Sequence, residues 1–249
     1  MDNSREFVDK LKKNQEKLSH LLAISLPKLN EIVAQHLVQA QTYIKNDGSP
    51  VTDLDLAISE QLELIAKDNY LNFFSEEKPG SWEFPMLMVD PLDGTKEFIA
   101  GRDEWVISVA CLESPKLAGE GWIYNPLRKR IYESAAPIVF QEKETYCGEA
   151  SRTEWAKGYY QKKFDCFEMS PMGSIAHKLA RLSHGEIDFV VSKHPKNLWD
   201  IAAGTLLCRQ AGFQFYEKGR IVEEFKLKFD GPLIWCHEEL FPKLSKHFY

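Results

Sequence analysis

The sequence predicts a mixed α/β (α+β) fold, and three observations support that fold class. Segments with apolar residues at helical spacing alternate with short apolar runs that are typical of buried strands. The chain contains no internal repeat and no low-complexity linker. Its 249 residues suffice for one large domain or two closely packed halves, with a core that needs no disulfides. A soft change of composition near residues 134–137 divides it into two predicted subdomains, residues 1–134 and 135–249.

The N-terminal region carries two predicted helices. Apolar residues at helical spacing predict the first over residues 4–26, with Ser4 as its cap. Pro27 predicts a break, because proline cannot donate a helical hydrogen bond. A second amphipathic helix is predicted over residues 29–44. Neither segment carries residues with evident chemistry, so we expect both to form a packing layer.

The remaining predicted elements follow in alternation. Turn-forming residues 46–50 predict a loop or hairpin. Helical spacing predicts three further helices, over residues 54–66, 174–182 and 200–210. Apolar and β-branched runs predict strands over residues 70–74, 84–89, 105–112, 121–124, 130–133, 187–191, 213–216, 220–222 and 233–236.

The charge balance excludes several classes of partner. The formal net charge is −6, so no broad basic field would attract a nucleic acid polymer or an anionic membrane. A phosphorylated substrate would need local positive charge, from metal ions or a few lysines. No stretch approaches the roughly 18 apolar residues that span a bilayer. Residues 1–13 are charged and lack the apolar core of a signal peptide, so we expect a cytoplasmic protein.

The cysteines do not suggest a metal or disulfide framework. Their number is odd, they lie far apart, and no C-x-x-C pair occurs. We therefore expect reduced thiols, as in cytosolic proteins. The five are Cys111, Cys147, Cys166, Cys208 and Cys236.

Acidic residues lie where predicted strands and helices begin or end. The strand over residues 84–89 leads directly into Asp90 and Asp93, and the strand over residues 70–74 leads to Glu76. Asp200 begins a predicted helix, and Asp55 begins another. Magnesium prefers carboxylate and carbonyl oxygens and keeps waters for exchange with substrate. Two such ions hold a phosphate and activate a water, so the pattern indicates a phosphatase metal site.

The residues between and after the two aspartates strengthen this interpretation. Leu92 can offer its backbone carbonyl between the carboxylates of Asp90 and Asp93. Gly94 and Thr95 begin a predicted helix, whose free N–H groups bind phosphate oxygens. The alternative is that both aspartates only form turn and cap hydrogen bonds, and on residue pattern alone both interpretations stay open.

Three motifs together resemble a known superfamily. They are Asp90-Pro91-Leu92-Asp93-Gly94-Thr95, then Trp199-Asp200-Ile201-Ala202-Ala203-Gly204 downstream, and Ser75-Glu76-Glu77 upstream. In this order and at these spacings they resemble the inositol monophosphatase superfamily, over about residues 47–212. The resemblance implies a layered αβαβα sandwich, here with an additional N-terminal helix. It also implies that residues 1–134 carry most metal ligands and that residues 135–249 complete the site.

The resemblance implies a set of magnesium ligands. Glu76, Asp90 and the Leu92 carbonyl would hold a first ion, and Asp90, Asp93 and Asp200 a second. A third, weaker ion near Glu76 is also implied, so two to three ions are expected. Lithium should inhibit by occupying one of these positions. Dimers are common in the superfamily, so the resemblance also implies a possible homodimer.

The resemblance also implies the roles of nearby residues. Asp55 and Thr95 would orient and deprotonate the attacking water. The phosphate would rest on the N–H groups of Gly94 and Thr95. Glu77 would support the ligands rather than bind metal. The other implied substrate-binding residues are Ser174, His177, Lys193 and Asp200.

The branch of the superfamily is indicated by residues around these motifs. The segments 96–98, 49–52 and 197–200 are similar to bisphosphate nucleotidases. Lys193 stands where inositol enzymes typically carry a glutamate, and a cation there suits a second phosphate. Two departures occur: His177 replaces an expected lysine, and the arginine expected a few residues before Trp199 does not align cleanly, with Lys193 or Lys196 as candidates to replace it.

The resemblance therefore implies a magnesium-dependent phosphomonoesterase acting on a small phosphorylated substrate. The favoured reaction is that of a 3′(2′),5′-bisphosphate nucleotidase, which converts 3′-phosphoadenosine 5′-phosphate to AMP and phosphate. The alternative is a phosphatase of inositol monophosphate or a related sugar phosphate. A further alternative, from a different class, is a catalytically silent protein that binds metal or nucleotide on the same scaffold.

Overall fold

The computed structural model describes residues 3–134, 136–160 and 164–249, with side chains from residue 19 onward. The helices within these ranges are α1 (Asn3–His36), α2 (Asp53–Asp68), α3 (Thr95–Ile99), α4 (Arg152–Ala156), α5 (Ile175–Ser183), α6 (Leu198–Gln210) and α7 (Phe241–Phe248). The strands are β1 (Thr42–Ile44), β2 (Pro50–Thr52), β3 (Asn72–Ser75), β4 (Met86–Asp93), β5 (Val106–Ser114), β6 (Ala118–Asn125), β7 (Arg130–Tyr132), β8 (Tyr146–Ser151), β9 (Phe167–Met172), β10 (Phe189–Ser192), β11 (Lys196–Asn197), β12 (Gln214–Glu217), β13 (Arg220–Ile221), β14 (Lys228–Phe229) and β15 (Leu233–Cys236).

Two large sheets form the frame of the molecule. The first has the strand order β3-β4-β5-β6-β7, and the second has the order β13-β12-β15-β10-β8-β9. Strands β3 and β4 pair in parallel, as do β8 with β9 and with β10. The other pairs within these sheets are antiparallel. The first sheet comes from residues 72–132 and the second from residues 146–236; the division into two subdomains stays a prediction.

Helices cover the sheets in three layers. Helices α1 and α2 pack their apolar faces, such as Leu29 and Leu62, on one side of the first sheet. Helices α5 and α6 fill the space between the sheets, with Leu179 and Leu206 in a core to which both sheets contribute. Helix α7 covers the outer side of the second sheet through Leu244. The layers alternate as αβαβα, which confirms the predicted sandwich with its N-terminal helix.

The predicted helix break at Pro27 is wrong. Helix α1 is continuous from Asn3 to His36 with Pro27 inside it, and residues 42–44, predicted as helix, form β1. Proline at this position removes one helical hydrogen bond, the one to the carbonyl of Ala23, and the helix continues past it. Burial of apolar residues on both sides of Pro27 against α2 stabilises the continuous helix.

None of the helices in the described ranges combines the length and the apolar character that crossing a bilayer requires. All five cysteines lie within these ranges, and none forms a disulfide bond.

Candidate active site

The candidate site is a cavity of about 350 Å³ that residues from both halves of the chain line. Its walls come from the end of β4 with α3, the β1–β2 hairpin, the end of β8, the turn before α5, and the start of α6. The acidic residues predicted as ligands meet here with several lysines. The cavity is therefore the place where the two sheets jointly present polar groups.

The end of β4 carries two of the carboxylates. A bulge interrupts the pairing of β4 with β5 between Asp90 and Asp93, where Pro91 cannot donate a ladder hydrogen bond. Asp90 is buried, and its Oδ1 accepts a hydrogen bond from the backbone N–H of Leu92 at 3.1 Å. The bulge thus ends the regular strand at the point where both carboxylates line the cavity.

Three carboxylates from separate segments form a compact cluster. Oxygens of Glu76, Asp90 and Asp200 all lie within 4.8 Å of one another. Glu76 follows β3, and its N–H donates to Val89 O at 3.1 Å, which extends the pairing with β4. Asp200 lies in the first turn of α6, where its Oδ2 accepts from the N–H of Asn197 at 3.0 Å. The fold thus brings both halves of the chain to one point.

The electrostatics of the cluster favour a bound cation. Burial raises the pKa of Asp90 well above its usual range, and the nearby charges of Glu76, Asp93 and Asp200 raise it further. Burial, then the charge of Asp93, raises the pKa of Asp200 to about 8. The cluster offers only hard oxygen donors, which are the ligands that Mg²⁺ prefers. Charge and donor type therefore both fit magnesium.

Asp93 also connects the cluster to the second half of the chain. Its Oδ2 accepts hydrogen bonds from the Ser174 hydroxyl and from the N–H of Ala176, both at 2.5 Å. Burial raises the pKa of Asp93, although these two hydrogen bonds oppose the shift. Ser174 caps α5 as well, since its Oγ accepts from the N–H of His177 at 2.9 Å. The start of α5 is thereby fixed against the β4 turn.

Asp55 and Thr95 meet at the edge of the cluster, as expected from the sequence. The Thr95 hydroxyl lies 3.2 Å from Asp55 Oδ1 and 3.1 Å from the carbonyl oxygen of Leu92. Asp55 is held by a capping box at the start of α2, in which the N–H of Thr52 donates to Asp55 Oδ2 at 2.8 Å. Burial raises the pKa of Asp55, against the hydrogen bonds from Thr52.

Gly94 links β4 to α3 in a conformation that requires glycine. Its φ of 105° lies in the left-handed region. A Cβ at this position would lie 3.1 Å from Glu104 O and from the Cα and Cβ of Trp105. Both Gly94 and Thr95 line the cavity. The position of Thr95 beside Asp55 therefore depends on this turn.

A lysine from the β1–β2 hairpin contacts the acidic residues that follow β3. Lys45 Nζ lies 2.7 Å from Glu76 Oε1 and 2.6 Å from Glu77 Oε1. Burial lowers the pKa of Lys45, but the hydrogen bonds with both glutamates outweigh it and raise the pKa overall. Burial raises the pKa of Glu77, which Lys45 opposes. Glu77 thus faces Lys45 at the margin of the cluster.

The structure does not bring His177 to the cavity. Its side chain is 0% exposed, and its Nε2 lies 3.5 Å from the Tyr132 hydroxyl on β7. Burial lowers its pKa to about 4, so the ring is neutral near pH 7. The neighbouring Lys178 lines the cavity instead, and its ammonium donates to the carbonyls of Met172, Gly173 and Ser174. The sequence reasoning missed Lys178, although it lies one position after the expected lysine.

The other predicted cation, Lys193, is exposed and does not line the cavity. Its Nζ lies 5.9 Å from the ring centre of Tyr159. Lys196, named as an alternative replacement for the expected arginine, does line the cavity, as does Lys96 at the start of α3. The cavity is therefore lined by the carboxylate cluster and by Lys96, Lys178 and Lys196, and of these lysines Lys178 has its ammonium hydrogen-bonded to three backbone carbonyls.

The comparison with protein families agrees with this site. The model of the inositol monophosphatase family matches residues 13–233. The chain is 29% identical over 199 residues to the 3′(2′),5′-bisphosphate nucleotidase CysQ of Salmonella typhimurium, an alignment that covers 70% of this chain and 78% of that protein. The residues that the family model matches include Glu76, Asp90, Asp93 and Asp200.

Solved structures share the fold. The IMPase of Thermotoga maritima superposes with a TM-score of 0.72 at 22% identity, covering 88% of this chain and 91% of that one. An IMPase/NADP phosphatase in complex with Mg²⁺ and phosphate superposes with a TM-score of 0.73 at 15% identity, covering 92% and 95%. The family model covers most of the chain, and the fold and the cluster agree with it. The chain thus belongs to the inositol monophosphatase family and is a phosphoric monoester hydrolase.

Proposed function

We propose that this protein is a magnesium-dependent 3′(2′),5′-bisphosphate nucleotidase that converts 3′-phosphoadenosine 5′-phosphate to AMP and phosphate. The observation that carries the proposal is the pairing of the carboxylate cluster with Lys96 and Lys196 in one cavity. Metal ligands suit the phosphate that is hydrolysed, whereas additional ammonium groups suit a second phosphate. The identity to CysQ supports the same substrate class.

The residues that would hold magnesium belong to the cluster at the end of β4. Glu76, Asp90 and the Leu92 carbonyl would hold one ion, and Asp90, Asp93 and Asp200 a second, with a third, weaker position near Glu76. Magnesium supplies positive charge that activates a water and stabilises the leaving oxygen. The N–H groups of the turn at Gly94 and Thr95 would bind the phosphate oxygens.

The chain itself would orient the attacking water and accept its proton. Thr95 Oγ1 lies 3.2 Å from Asp55 Oδ1, so a water that donates to Thr95 can pass its proton on to Asp55. The raised pKa of Asp55 makes the carboxylate a better base than an exposed aspartate. The water oxygen forms a bond to phosphorus while the bond to the ribose 3′-oxygen breaks, and that oxygen takes up a proton as AMP leaves.

The second phosphate would be recognised by a lysine beside the metal cluster. Lys196 lies at the start of β11, four residues before Asp200, and lines the cavity. Its charge acts on both Asp93 and Asp200, which places the ammonium near the cluster without an ion pair closer than 4.0 Å among the described residues. We assign Lys196 to the 5′-phosphate, whereas Ser174 is buried and its hydroxyl bonds to Asp93 and to the N–H of His177.

A phosphatase of inositol monophosphate or a related sugar phosphate is the alternative function. The observation that favours it is the superposition with the IMPase of Thermotoga maritima. We propose a cytoplasmic location for either activity, since none of the five cysteines forms a disulfide bond. Inhibition by lithium is part of the same proposal.

Phosphate release from a panel of substrates tests the proposal. The panel contains 3′-phosphoadenosine 5′-phosphate, inositol 1-phosphate and fructose 1,6-bisphosphate, each with magnesium. We expect the highest kcat/KM for the nucleotide. Much faster hydrolysis of inositol 1-phosphate than of the nucleotide would contradict the proposed substrate, and the absence of release from every compound would contradict the proposed activity.

A further inference from the structure

A buried carboxylate outside the metal cluster holds the loop between β10 and β11. Glu154, on α4, is 1% exposed. Its Oε1 accepts hydrogen bonds from the Ser192 hydroxyl (3.2 Å) and from the N–H groups of Lys193 (2.9 Å) and His194 (2.8 Å). Its Oε2 accepts from the Tyr160 hydroxyl at 2.6 Å. Four donors from two segments therefore converge on this one side chain.

The loop that Glu154 holds leads directly into the cavity. Ser192 ends β10 and lines the cavity, and Lys196 follows it after three residues. Lys196 begins β11, which pairs with β14 through Phe229. Asn197 then caps α6, whose first turn carries Asp200. A shift of the loop backbone would therefore move Lys196 relative to the cluster.

The side chain of Glu154 is an ionised acceptor for backbone N–H groups. Burial raises its pKa, but the hydrogen bonds from Tyr160, Lys193 and His194 outweigh burial and lower it, so the carboxylate is ionised. Its nearest potential cation is the ring of His194, with Nδ1 at 3.6 Å. Hydrogen bonds to an ionised acceptor are stronger than those between neutral groups. The ionised carboxylate of Glu154 thus stabilises the loop by accepting hydrogen bonds from its N–H groups.

The turn at Gly231 packs closely against the β10–β11 loop on the side opposite Glu154. A Cβ on Gly231 would lie 2.0 Å from Lys193 O and 3.1 Å from the N of His194. The backbone at Lys193 and His194 is therefore enclosed between the Glu154 carboxylate and the turn at Gly231. Packing alone limits movement toward Gly231, and the Glu154 hydrogen bonds limit movement away from it.

We propose that Glu154 is a positioning residue for substrate specificity, which holds the β10–β11 loop so that Lys196 meets the second anionic group of the substrate. The inference rests on the proposed function, because it concerns recognition of a phosphate other than the one hydrolysed. Glu154 does not line the cavity and acts through the loop. Its effect should therefore appear in the KM for a doubly phosphorylated substrate.

The test compares two nucleotides that differ by one phosphate. KM and kcat are measured for 3′-phosphoadenosine 5′-phosphate and for adenosine 3′-monophosphate with Glu154→Ala, Glu154→Gln and Lys196→Met. We expect Glu154→Ala to raise the KM for the bisphosphate about tenfold or more, with kcat within about threefold and the monophosphate KM within about twofold. Lys196→Met should also raise the KM for the bisphosphate, and the double variant should raise it little beyond Lys196→Met.

Glu154→Gln is the matched conservative variant. Its amide oxygen can still accept from the N–H groups of Lys193 and His194, so its KM should stay within about threefold of wild type. Equal KM changes for both nucleotides in Glu154→Ala, or none, would overturn the proposal. If Glu154→Ala does not fold, Glu154→Asp takes its place, since the shorter side chain cannot reach the loop.

Amide hydrogen exchange separates this inference from the proposed function. In Glu154→Ala, or in Glu154→Asp if it takes its place, the N–H groups of Lys193 and His194 should exchange about tenfold faster than in wild type. Unchanged exchange would overturn the positioning role whatever the substrate is. If wild-type enzyme hydrolyses neither nucleotide, the proposed substrate is wrong, and faster exchange still supports the anchoring of the loop.

Discussion

At the scale of single residues, the chemistry depends on how carboxylates are spaced and on what each of them contacts. Asp90 and Asp93 lie at the bulged end of β4 and line the cavity. Asp200 and Glu76 line the same cavity from other segments of the chain. Asp55 differs from these four because it contacts the Thr95 hydroxyl. Like charges that are buried together need a cation, whereas a carboxylate beside a hydroxyl can accept a proton.

The proposed base can be tested by one substitution. Asp55→Asn should lower kcat about 10²-fold or more, because an amide cannot accept the proton that Thr95 passes on. The apparent affinity for magnesium should change little. Steady-state kinetics over a range of magnesium concentrations measure both quantities.

Asp53→Asn is the matched control for this substitution, since it makes the same change in the first turn of the same helix. Asp53 accepts from the N–H of Gln41, whereas Asp55 accepts from the Thr95 hydroxyl. A similar loss of kcat in both variants would contradict the role assigned to Asp55.

The interior position of His177 leads to a different expectation. His177→Leu should leave the KM for substrate within about twofold of wild type, whereas Lys196→Met should raise it.

The pKa of His177 is lowered to about 4, so the unfolded chain binds its proton first as the pH falls. The stability that this residue contributes is therefore present above pH about 6.5 and is lost as the pH falls toward about 4.

Thermal unfolding at several pH values measures this effect. The wild type should lose more stability than His177→Leu between pH about 6.5 and about 4. A large rise in KM for His177→Leu would show that the ring reaches the substrate, which would contradict its placement beside Tyr132.

At this scale the sequence predicted the acidic residues better than the cationic ones. Asp55, Glu76, Asp90, Asp93 and Asp200 all lie in or beside the cavity, because the order of motifs along the chain determines where strand ends meet. The choice between His177 and Lys178 depends on the rotation of α5 about its axis. That rotation follows from packing between the sheets and is not visible in the local pattern.

At the scale of elements, the first sheet and its helices follow from their periodicity, and the second sheet does so only in part. Strands β4 and β5 are apolar and were predicted, whereas β8, with Gly148 and Glu149, was not. Gly148 fits β8 because a Cβ there would lie 2.2 Å from the ring of Phe189 on the neighbouring strand. Such a requirement comes from tertiary contacts, which the local sequence pattern does not show.

The contact between β6 and α6 gives a prediction for an element. A Cβ on Gly121 would lie 2.8 Å from Ala203 Cα and 2.9 Å from Ala203 O, and both are backbone atoms. Gly121→Ala should therefore destabilise the protein by about 1–3 kcal/mol, because the helix must move away from the sheet. Denaturant unfolding measures the change.

The exposed Lys116, in the turn before β6, provides the control. Lys116→Ala should change the free energy of unfolding by less than about 0.5 kcal/mol. An equally small change for Gly121→Ala would show that the packing of α6 on the first sheet tolerates displacement.

At the scale of the whole molecule, the sandwich brings ligands from both halves of the chain to one cavity. Glu76, Asp90 and Asp93 come from the first sheet, and Asp200 from the helix layer between the sheets. Residues 1–134 thus supply three of these four carboxylates. A site that two layers share couples metal binding to the stability of the whole fold.

The coupling predicts how pH affects the metal-free protein. Burial raises the pKa of Asp200 to about 8, so the folded protein retains a proton that the unfolded chain releases near pH about 4. Stability from this group is present at low pH and is lost as the pH rises toward about 8. In the presence of a chelator, wild type should lose stability relative to Asp200→Asn over this range.

Added magnesium should reverse the difference at pH about 8, because it binds the ionised carboxylates of the folded wild type. Differential scanning calorimetry with chelator and with magnesium provides the comparison. Identical pH profiles for the two proteins without metal would contradict the electrostatic account of the cluster.

The central claim is that the cluster at the end of β4 binds magnesium for phosphomonoester hydrolysis. The most direct measurement is phosphate release from 3′-phosphoadenosine 5′-phosphate as magnesium is titrated, for wild type and for Asp90→Asn. We predict release that depends on magnesium in the wild type and falls about 10³-fold or more in a folded Asp90→Asn protein. Release by wild type without magnesium, or undiminished release by Asp90→Asn, would contradict it.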